Sequence, residues 1–425
     1  MEPVDTLVSA RWVMPVEPDG RVLEHHSVAI RSGRIEAVLP TAEARLRYDA
    51  RETLDRPHHV LLPGLVNAHT PAAMVQSRWV DPEYVRDGTE LAIAEMLRGG
   101  ITCFADMHLW PDVVARTAAA AQMRASVGLV VTEAATSWAT TADEYIDRGM
   151  RLRDEYKGDP LISTHFAPHS PYSASDGTLA RVRRLADELD LPVAVHRHET
   201  AVEVEQSLQA CGKRPLARLA ALGLASPQLV AIHMTQVEPE DLDLLAEARA
   251  SVVHCPESNL KLGAGVCPVA RLLGRGIRVA LGTDGAASNN DLDLLAEARI
   301  AGFVSAGVAA TPGELIASDL VRMATLEGAQ TLGLGEVTGS LVPGKWADLC
   351  CIDLRAPRSW PVHDVATAVI YAASSQQVTD TWVAGRRLLA DGRLRTVDES
   401  AVLERAEAWA ARLDATAPNE DPANG

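Results

Sequence analysis

Apolar and polar positions change their spacing twice along the 425 residues of the chain. Up to about residue 60 they alternate in short runs, as at 27–30, and a Ser-Gly turn follows at 32–33, which is typical of strands and hairpins. Short strands resume after about residue 340. Because both ends of the chain have this texture, we expect one small β-domain assembled from the two termini beside a larger middle domain.

The middle of the chain, from about 61 to 340, alternates short apolar segments with longer amphipathic ones. Eight segments are predicted as strands: 64–69, 101–107, 125–131, 161–167, 191–198, 228–234, 251–255 and 278–284. The amphipathic segments between them, such as 86–98 and 177–189, are long enough for right-handed crossovers. Eight such units predict an α/β fold, the TIM (β/α)8 barrel. The nonapeptide DLDLLAEAR occurs at 241–249 and again at 291–299, and is interpreted as two barrel helices.

Charge and composition narrow the range of partners. The chain has 40 basic and 57 acidic residues, a net charge of -17, which disfavours nucleic acid and membrane surfaces. Six cysteines without CxxC spacing indicate reduced thiols, and neither a leader nor a membrane-length apolar run is visible. We therefore expect a cytoplasmic protein that acts on a small molecule. The polar, Pro-rich residues 416–425 are expected to be disordered.

Candidate chemistry lies at the predicted strand ends, which meet at one mouth of a TIM barrel. His69 ends the first strand, His196 the fifth, His233 the sixth and Asp284 the eighth. Imidazole and carboxylate suit Zn²⁺, with Fe²⁺ as the alternative, and the fourth strand has no lysine to bridge two metals. A catalytic zinc needs about three protein ligands and an open position for water. His69, His196 and Asp284 satisfy that count with one ion per chain.

Three residues are suited to proton transfer beside such an ion, which lowers the pKa of bound water toward about 7. Glu199 lies three residues beyond His196 and is the natural proton shuttle to a leaving amine. Asp284 can accept a proton from the water. His233 can polarise the attacking oxygen from the neighbouring strand.

Six segments together resemble one known superfamily. They are PGLVNAHT (63–70), HxHETAxEV (196–204), AIHMTQ (231–236), HCPESNLKL (254–262), GTDGAASNN (282–290) and PGKWADL (343–349). They are similar to the amidohydrolases, above all to the branch of 5'-methylthioadenosine/S-adenosylhomocysteine deaminases and triazine hydrolases. The resemblance spans nearly the whole chain.

The resemblance implies hydrolytic loss of ammonia from an aminated heterocycle, here an adenine nucleoside, in a homo-oligomer. It implies a split β-sandwich domain, 1–60 and 343–415, beside a mononuclear-metal barrel, 61–342. It implies these roles: His69, His196 and Asp284 as metal ligands, Glu199 as proton shuttle and substrate contact, His233 as catalytic histidine, and His169 as substrate contact.

One motif departs from the family pattern. The first motif of the family is His-x-His, but here it reads His69-Thr70-Pro71, and proline offers no ligand atom. From the resemblance to the family and from typical βα loop lengths, we expect that about 20 to 30 residues are missing from the short segment that follows this motif, after Met74. His198 could take the place of the missing ligand. The other strand-end histidines have open roles: His108 and His165 are expected to be structural, and His254 could be either.

Three alternatives therefore stay open. The substrate could be guanine or an s-triazine, with deamination or dechlorination as the reaction. The chain could be a catalytically impaired scaffold, because Pro71 stands where a ligand is expected. The printed sequence could also lack the residues of a native loop.

Overall fold

A computed structural model describes residues 1–18, 20–72, 80–168, 174–309 and 315–415. Its strands are β1 Glu2–Val13, β2 Leu23–Arg31, β3 Arg34–Pro40, β4 Tyr48–Pro63, β5 Leu65–Asn67, β6 Ile101–Asp106, β7 Arg124–Val131, β8 Ile162–Pro168, β9 Val193–Arg197, β10 Leu229–His233, β11 Ser251–His254, β12 Arg278–Leu281, β13 Leu349–Asp353, β14 Val378–Val383, β15 Arg386–Ala390 and β16 Arg393–Leu394.

The helices are α1 Thr41–Arg47, α2 Pro82–Arg98, α3 Pro111–Ala121, α4 Ala142–Glu155, α5 Asp176–Leu189, α6 Ala201–Cys211, α7 Pro215–Ala221, α8 Pro239–Ala248, α9 Pro256–Lys261, α10 Val269–Leu273, α11 Leu294–Ala309, α12 Ala317–Met323, α13 Leu326–Thr331, α14 Val365–Thr367 and α15 Glu399–Asp414. A π-helical turn, Ala368–Ala372, and a 3-10 turn, Ser375–Gln377, follow α14. Across the described ranges, no helix combines the length and apolar character needed to cross a membrane.

Strands β5 to β12 form a parallel sheet in chain order, one strand from each predicted segment. The first and last strands meet where the Ala68 N–H donates to the Leu281 carbonyl at 2.9 Å and the Asp284 N–H donates to the His69 carbonyl at 3.0 Å. A Cβ at Gly282 would lie 2.9 Å from the backbone N and O of His69, so glycine permits this close approach. The sheet is therefore a near-closed barrel, and the TIM-barrel prediction is confirmed.

The sequence of helix α2 determines where the helix begins and which of its residues are buried. The sequence pair Asp81-Pro82 suits an N-cap and a first helical position, and the structure agrees: Asp81 accepts a hydrogen bond from the Tyr84 N–H, and the helix begins at Pro82, ahead of the predicted amphipathic segment 86–98. Its Ile93 and Leu97 are fully buried in the main core. Burying such a side chain stabilises the fold by about 1.5 to 3 kcal/mol.

The two ends of the chain share one eight-stranded sheet, in the order β16-β15-β14-β13-β4-β1-β2-β3. Strand β4 pairs in parallel with β1 and antiparallel with β13, which joins the N-terminal strands to the C-terminal ones. The buried Arg124 of β7 binds both carboxylate oxygens of Asp348, at 2.6 and 3.1 Å, and so ties the barrel to this sheet. The expected domain from both termini is present, while the boundaries at 60 and 343 stay a prediction.

Candidate metal and catalytic site

Five of the six predicted site residues converge at the carboxyl ends of the barrel strands. One ring nitrogen from each of His69, His196 and His233 lies within 4.8 Å of the other two. The Nε2 atoms of His69 and His196 are 3.1 Å apart, and Asp284 Oδ1 is 3.5 Å from His69 Nε2. Glu199 Oε1 lies 3.8 Å from His233 Nε2. The chain thus brings three imidazoles and two carboxylates to one point.

The spacing and chemistry of these donors fit a single metal ion. Ligand atoms 2.0–2.1 Å from a tetrahedral zinc lie about 3.3 Å from one another. The 3.1 Å separation of His69 from His196 and the 3.5 Å separation of His69 from Asp284 fall on either side of that value. Imidazole nitrogen and carboxylate oxygen are donors that both Zn²⁺ and Fe²⁺ accept. The cluster can therefore hold the ion that the sequence predicts.

Asp284 is fixed by two hydrogen bonds to its carboxylate. The Ser258 hydroxyl donates to Oδ2 and the Gly285 N–H donates to Oδ1, each at 2.7 Å. Burial alone would raise the pKa of Asp284, but the hydrogen bond and charge of His69, with the neighbouring histidines, hold that pKa well below its usual range. Asp284 has φ 61° and His233 has φ 76°. This left-handed backbone costs a non-glycine residue about 1 to 2 kcal/mol, which the surrounding hydrogen bonds offset.

His233 is oriented by the residue next to Ser258. Its Nδ1 lies 2.9 Å from Asn259 Oδ1, and its ring stacks on that of His196 with centroids 5.4 Å apart. Burial lowers the pKa of His233. Because Ser258 and Asn259 are consecutive in α9, a single helical turn orients two of the converging side chains.

Helix α9 is in turn anchored by a buried acid. Glu297 accepts the Glu257 N–H at 3.2 Å and the Asn289 side-chain amide at 2.6 Å. Burial raises the pKa of Glu297 well above its usual range, and the neighbouring carboxylates of Glu257, Asp291 and Asp284 raise it further. The sequence prediction did not single out Ser258, Asn259 or Glu297. The first two stand inside the HCPESNLKL segment, where polar residues directly after a strand-end histidine were an available signal.

Glu199 is held through its backbone. Its N–H donates to the Glu203 carboxylate at 2.8 Å, and its carbonyl accepts the Thr235 hydroxyl at 2.7 Å. The side chain is only partly buried, whereas His69 and His233 are almost fully enclosed. Glu199 thus lies where a carboxylate can face both the imidazole cluster and a molecule entering the mouth.

His198 does not stand in for the missing ligand. Its Nδ1 lies 2.9 Å from the Gln236 carbonyl, and its Nε2 accepts the Leu216 N–H at 3.1 Å. Both ring nitrogens are therefore engaged by backbone groups away from the cluster. The neutral tautomer is assigned from these two partners.

The remaining strand-end histidines lie around the cluster. His165 is buried inside the barrel, where its Nδ1 bonds the Ser126 hydroxyl at 2.9 Å and burial lowers its pKa to about 3. His108 Nδ1 bonds the Leu109 carbonyl, and burial lowers the pKa of His254 to about 3. The predicted substrate contact His169, the shortened segment 73–79 and the tail 416–425 fall outside the described residues.

The backbone around Pro71 keeps an ordered path. The Thr70 N–H donates to the Ala105 carbonyl at 2.9 Å, and the Ala72 N–H donates to Asp106 Oδ1 at 2.8 Å. The Thr70 hydroxyl also donates to the Asp284 carbonyl at 3.0 Å. Residue 71 is therefore held beside the site, although its proline ring carries no donor atom for a metal.

Comparison with known proteins agrees with this geometry. A 5-methylthioadenosine/S-adenosylhomocysteine deaminase of Teredinibacter turnerae is 41% identical over 434 aligned residues, covering 97% of this chain and 98% of that protein. A solved adenosine deaminase from Xanthomonas campestris with bound zinc is 46% identical with a TM-score of 0.96, covering 97% of this chain and 99% of its own. A solved atrazine chlorohydrolase from Arthrobacter aurescens, 24% identical with a TM-score of 0.86 and coverage of 95% and 99%, shares the fold.

The alignment with the Teredinibacter protein is longer than the 425 residues of this chain, so that relative carries residues that this chain lacks. The family model described as the amidohydrolase family matches residues 60–388, which include the whole barrel and every residue of the cluster. The chain belongs to the amidohydrolase family.

Proposed function

We propose that this protein hydrolytically deaminates an adenine nucleoside: 5'-methylthioadenosine, S-adenosylhomocysteine, 5'-deoxyadenosine or adenosine. One observation carries the proposal. His69, His196, Asp284 and Glu199 meet at one barrel mouth, in a chain 41% identical over nearly its full length to a protein named for two of these nucleosides. The adenosine deaminase from Xanthomonas, at 46% identity, supports the same base.

In this proposal His69, His196 and Asp284 hold one Zn²⁺, or Fe²⁺, per chain. The ion would supply Lewis-acid activation of water. Water adds to the ring carbon that bears the amino group, the C–N bond breaks, and ammonia leaves. Asp284 takes up a proton from the water and Glu199 delivers one to the leaving nitrogen, a form of catalysis that typically contributes about 10²- to 10⁴-fold. His233 polarises the attacking oxygen, and His169 and Glu199 contact the substrate.

The test is ammonia release by zinc-loaded and by iron(II)-loaded protein with each of the four nucleosides. We expect ammonia from at least one, together with loss of the adenine absorbance band. Glu199→Gln is expected to lower the rate by about 10²-fold or more. Glu240→Gln, the same chemical change at an exposed position of α8, is the matched control and keeps the rate. Metal-loaded protein that releases no ammonia from any of the four overturns the proposal.

Guanine and s-triazine substrates have less support, because the solved guanine deaminase and the solved triazine enzyme share only the fold, at 22% and 24% identity. The proposal includes a cytoplasmic homo-oligomer that acts on a small molecule and binds neither nucleic acid nor membrane. These properties stay predictions.

Pro71 favours one second candidate, a scaffold that has lost catalysis. Proline at this position removes a ligand atom from the first motif. If the purified protein takes up no stoichiometric zinc or iron and Glu199→Ala changes no measured property, the scaffold replaces the enzyme as the better account.

A further inference from the structure

We propose that His233 is a metal ligand in this chain and supplies the imidazole that Pro71 cannot. The ligand set would then be His69, His196, His233 and Asp284. The inference rests on the metal-dependent reaction proposed above and deepens it, since it changes the part that His233 plays.

The positions of the nitrogens carry the inference. One ring nitrogen of His233 lies within 4.8 Å of a ring nitrogen of His69 and of a ring nitrogen of His196. Its ring is nearly parallel to that of His196, with 20° between the planes, and nearly perpendicular to that of His69, with 83°. Among the described residues, this is the group of three histidines and acids compact enough to hold an ion.

The tautomer of His233 points the same way. Nδ1 lies 2.9 Å from Asn259 Oδ1 in the interior. A carbonyl oxygen only accepts, so Nδ1 carries the proton in this assignment and Nε2 keeps a free lone pair. Metal-bound histidines usually donate their other ring N–H to a carbonyl or carboxylate in this manner. Asn259 thus prepares His233 as a ligand through Nε2.

Two nearby histidines lack this arrangement. Both ring nitrogens of His198 are engaged by backbone groups. His165 is directed to Ser126 and lies outside the group of three. His233 is therefore the imidazole best placed to complete the ligand set.

As a metal ligand, His233 would take no part in proton transfer. A ring whose Nε2 lone pair is committed to a metal, and whose Nδ1 proton is held by Asn259, exchanges no proton with substrate. Glu199 lies 3.8 Å from His233 Nε2 and is the carboxylate beside it. Glu199 and Asp284 would then carry the proton transfers by themselves.

The experiment measures zinc binding, not activity. The zinc Kd of full-length metal-free protein is obtained by competition with a chromophoric chelator, and the visible spectrum of the cobalt(II)-loaded protein reports the ligand set. We expect His233→Ala to raise the Kd by more than about 100-fold, beyond the tenfold to hundredfold typical of residues that only orient a ligand. It should also shift the cobalt band. His165→Ala, a buried histidine near the cluster, is the matched control and should change neither.

Asn259 gives a second, independent measurement. Asn259→Leu should raise the zinc Kd by about tenfold to hundredfold, whereas Asn259→Asp, which keeps an acceptor for Nδ1–H, should not. Wild-type zinc affinity and an unchanged cobalt band in His233→Ala overturn the inference. If that variant does not fold, equal Kd values for the two Asn259 variants overturn it. Ammonia release is read separately, so failure of the proposed reaction is distinguishable.

Discussion

The candidate site has two halves that are held in different ways. The first, here called the β10–β12 half, consists of His233, Ser258, Asn259 and Asp284. The second, here called the β5 half, consists of His69, Thr70, Pro71 and Ala72. In the β10–β12 half, side chains orient side chains: Ser258 donates to Asp284, and Asn259 accepts from His233. In the β5 half, backbone groups set the path of the chain.

This difference explains how the chain accommodates Pro71. The N–H donors that hold the β5 half belong to Thr70 and Ala72, on either side of the proline. Because proline lacks only its own N–H, it removes neither of these bonds. The substitution therefore takes away one candidate ligand and leaves the position of His69 intact. At this strand end, the hydrogen bonds that fix the backbone path do not depend on whether residue 71 has a side chain that can bind a metal.

The largest expected effect comes from breaking the β10–β12 half at Asp284. Asp284→Ala removes a proposed ligand and a proposed proton acceptor together, so ammonia release should fall by about 10³- to 10⁴-fold. Asp243→Ala, at an exposed acid of α8, is the matched control and should leave the rate unchanged. Activity within about tenfold of wild type, or about 1.4 kcal/mol, would contradict the assigned role of Asp284.

A smaller effect is expected when the support is removed and Asp284 is kept. Ser258→Ala deletes the 2.7 Å hydrogen bond to Oδ2 but leaves the Gly285 N–H on Oδ1. The zinc Kd should rise by about tenfold to hundredfold. Ser318→Ala, in the remote helix α12, serves as the comparison. Equal Kd values would mean that the backbone alone orients Asp284, and the two halves would then be held alike.

Glu297, the buried acid that anchors α9, should make the stability of the protein depend on pH. Burial raises the pKa of Glu297, so its contribution to folding is complete below its ordinary pKa of 4.5 and is lost as pH rises toward the raised value. Glu297→Gln keeps a neutral side chain but loses one acceptor, at a cost of about 1 kcal/mol. The free energy of unfolding in urea should therefore favour wild type most at low pH, and the difference should shrink as pH rises. A difference independent of pH would show that Glu297 ionises normally.

The fold was predictable because strand ends follow from apolar runs. Each of the eight barrel strands overlaps its predicted segment, and the predicted and observed strands differ only in where they begin and end. The strand predicted to reach 284 ends at Leu281, since the chain there leaves the sheet to pass the β5 half, and Asp284 takes a left-handed conformation. Convergence of His69, His196, His233 and Asp284 then follows from barrel geometry, which places strand ends at one mouth.

The support of the site was not predictable, and the repeated nonapeptide shows why. DLDLLAEAR occurs twice, yet Glu247 is exposed in α8 while Glu297 is fully buried in α11. At the first position of the repeat the burial is reversed: Asp241 is buried in the first copy and Asp291 is exposed in the second. Local sequence is identical, so only the packing of each helix against its neighbours decides which carboxyl enters the core. The missing ligand atom at Pro71 was visible in the sequence, but the 2.9 Å contact that orients the His233 ring through Asn259 was visible only in the structure.

The smallest expected effect is the repair of the β5 half. Pro71→His adds an imidazole beside Gly285, where the backbone path is already set. If His233 supplies the missing ligand, the added ring is redundant, and the zinc Kd should improve by less than about tenfold, or about 1.4 kcal/mol. Pro71→Ala is the control for loss of the proline itself. In a His233→Ala background the same Pro71→His substitution should recover more affinity than in wild type, because the two imidazoles then substitute for each other. An equally large gain in wild type and in the His233→Ala background would instead mean that His233 is not a ligand, because the two positions would then act independently.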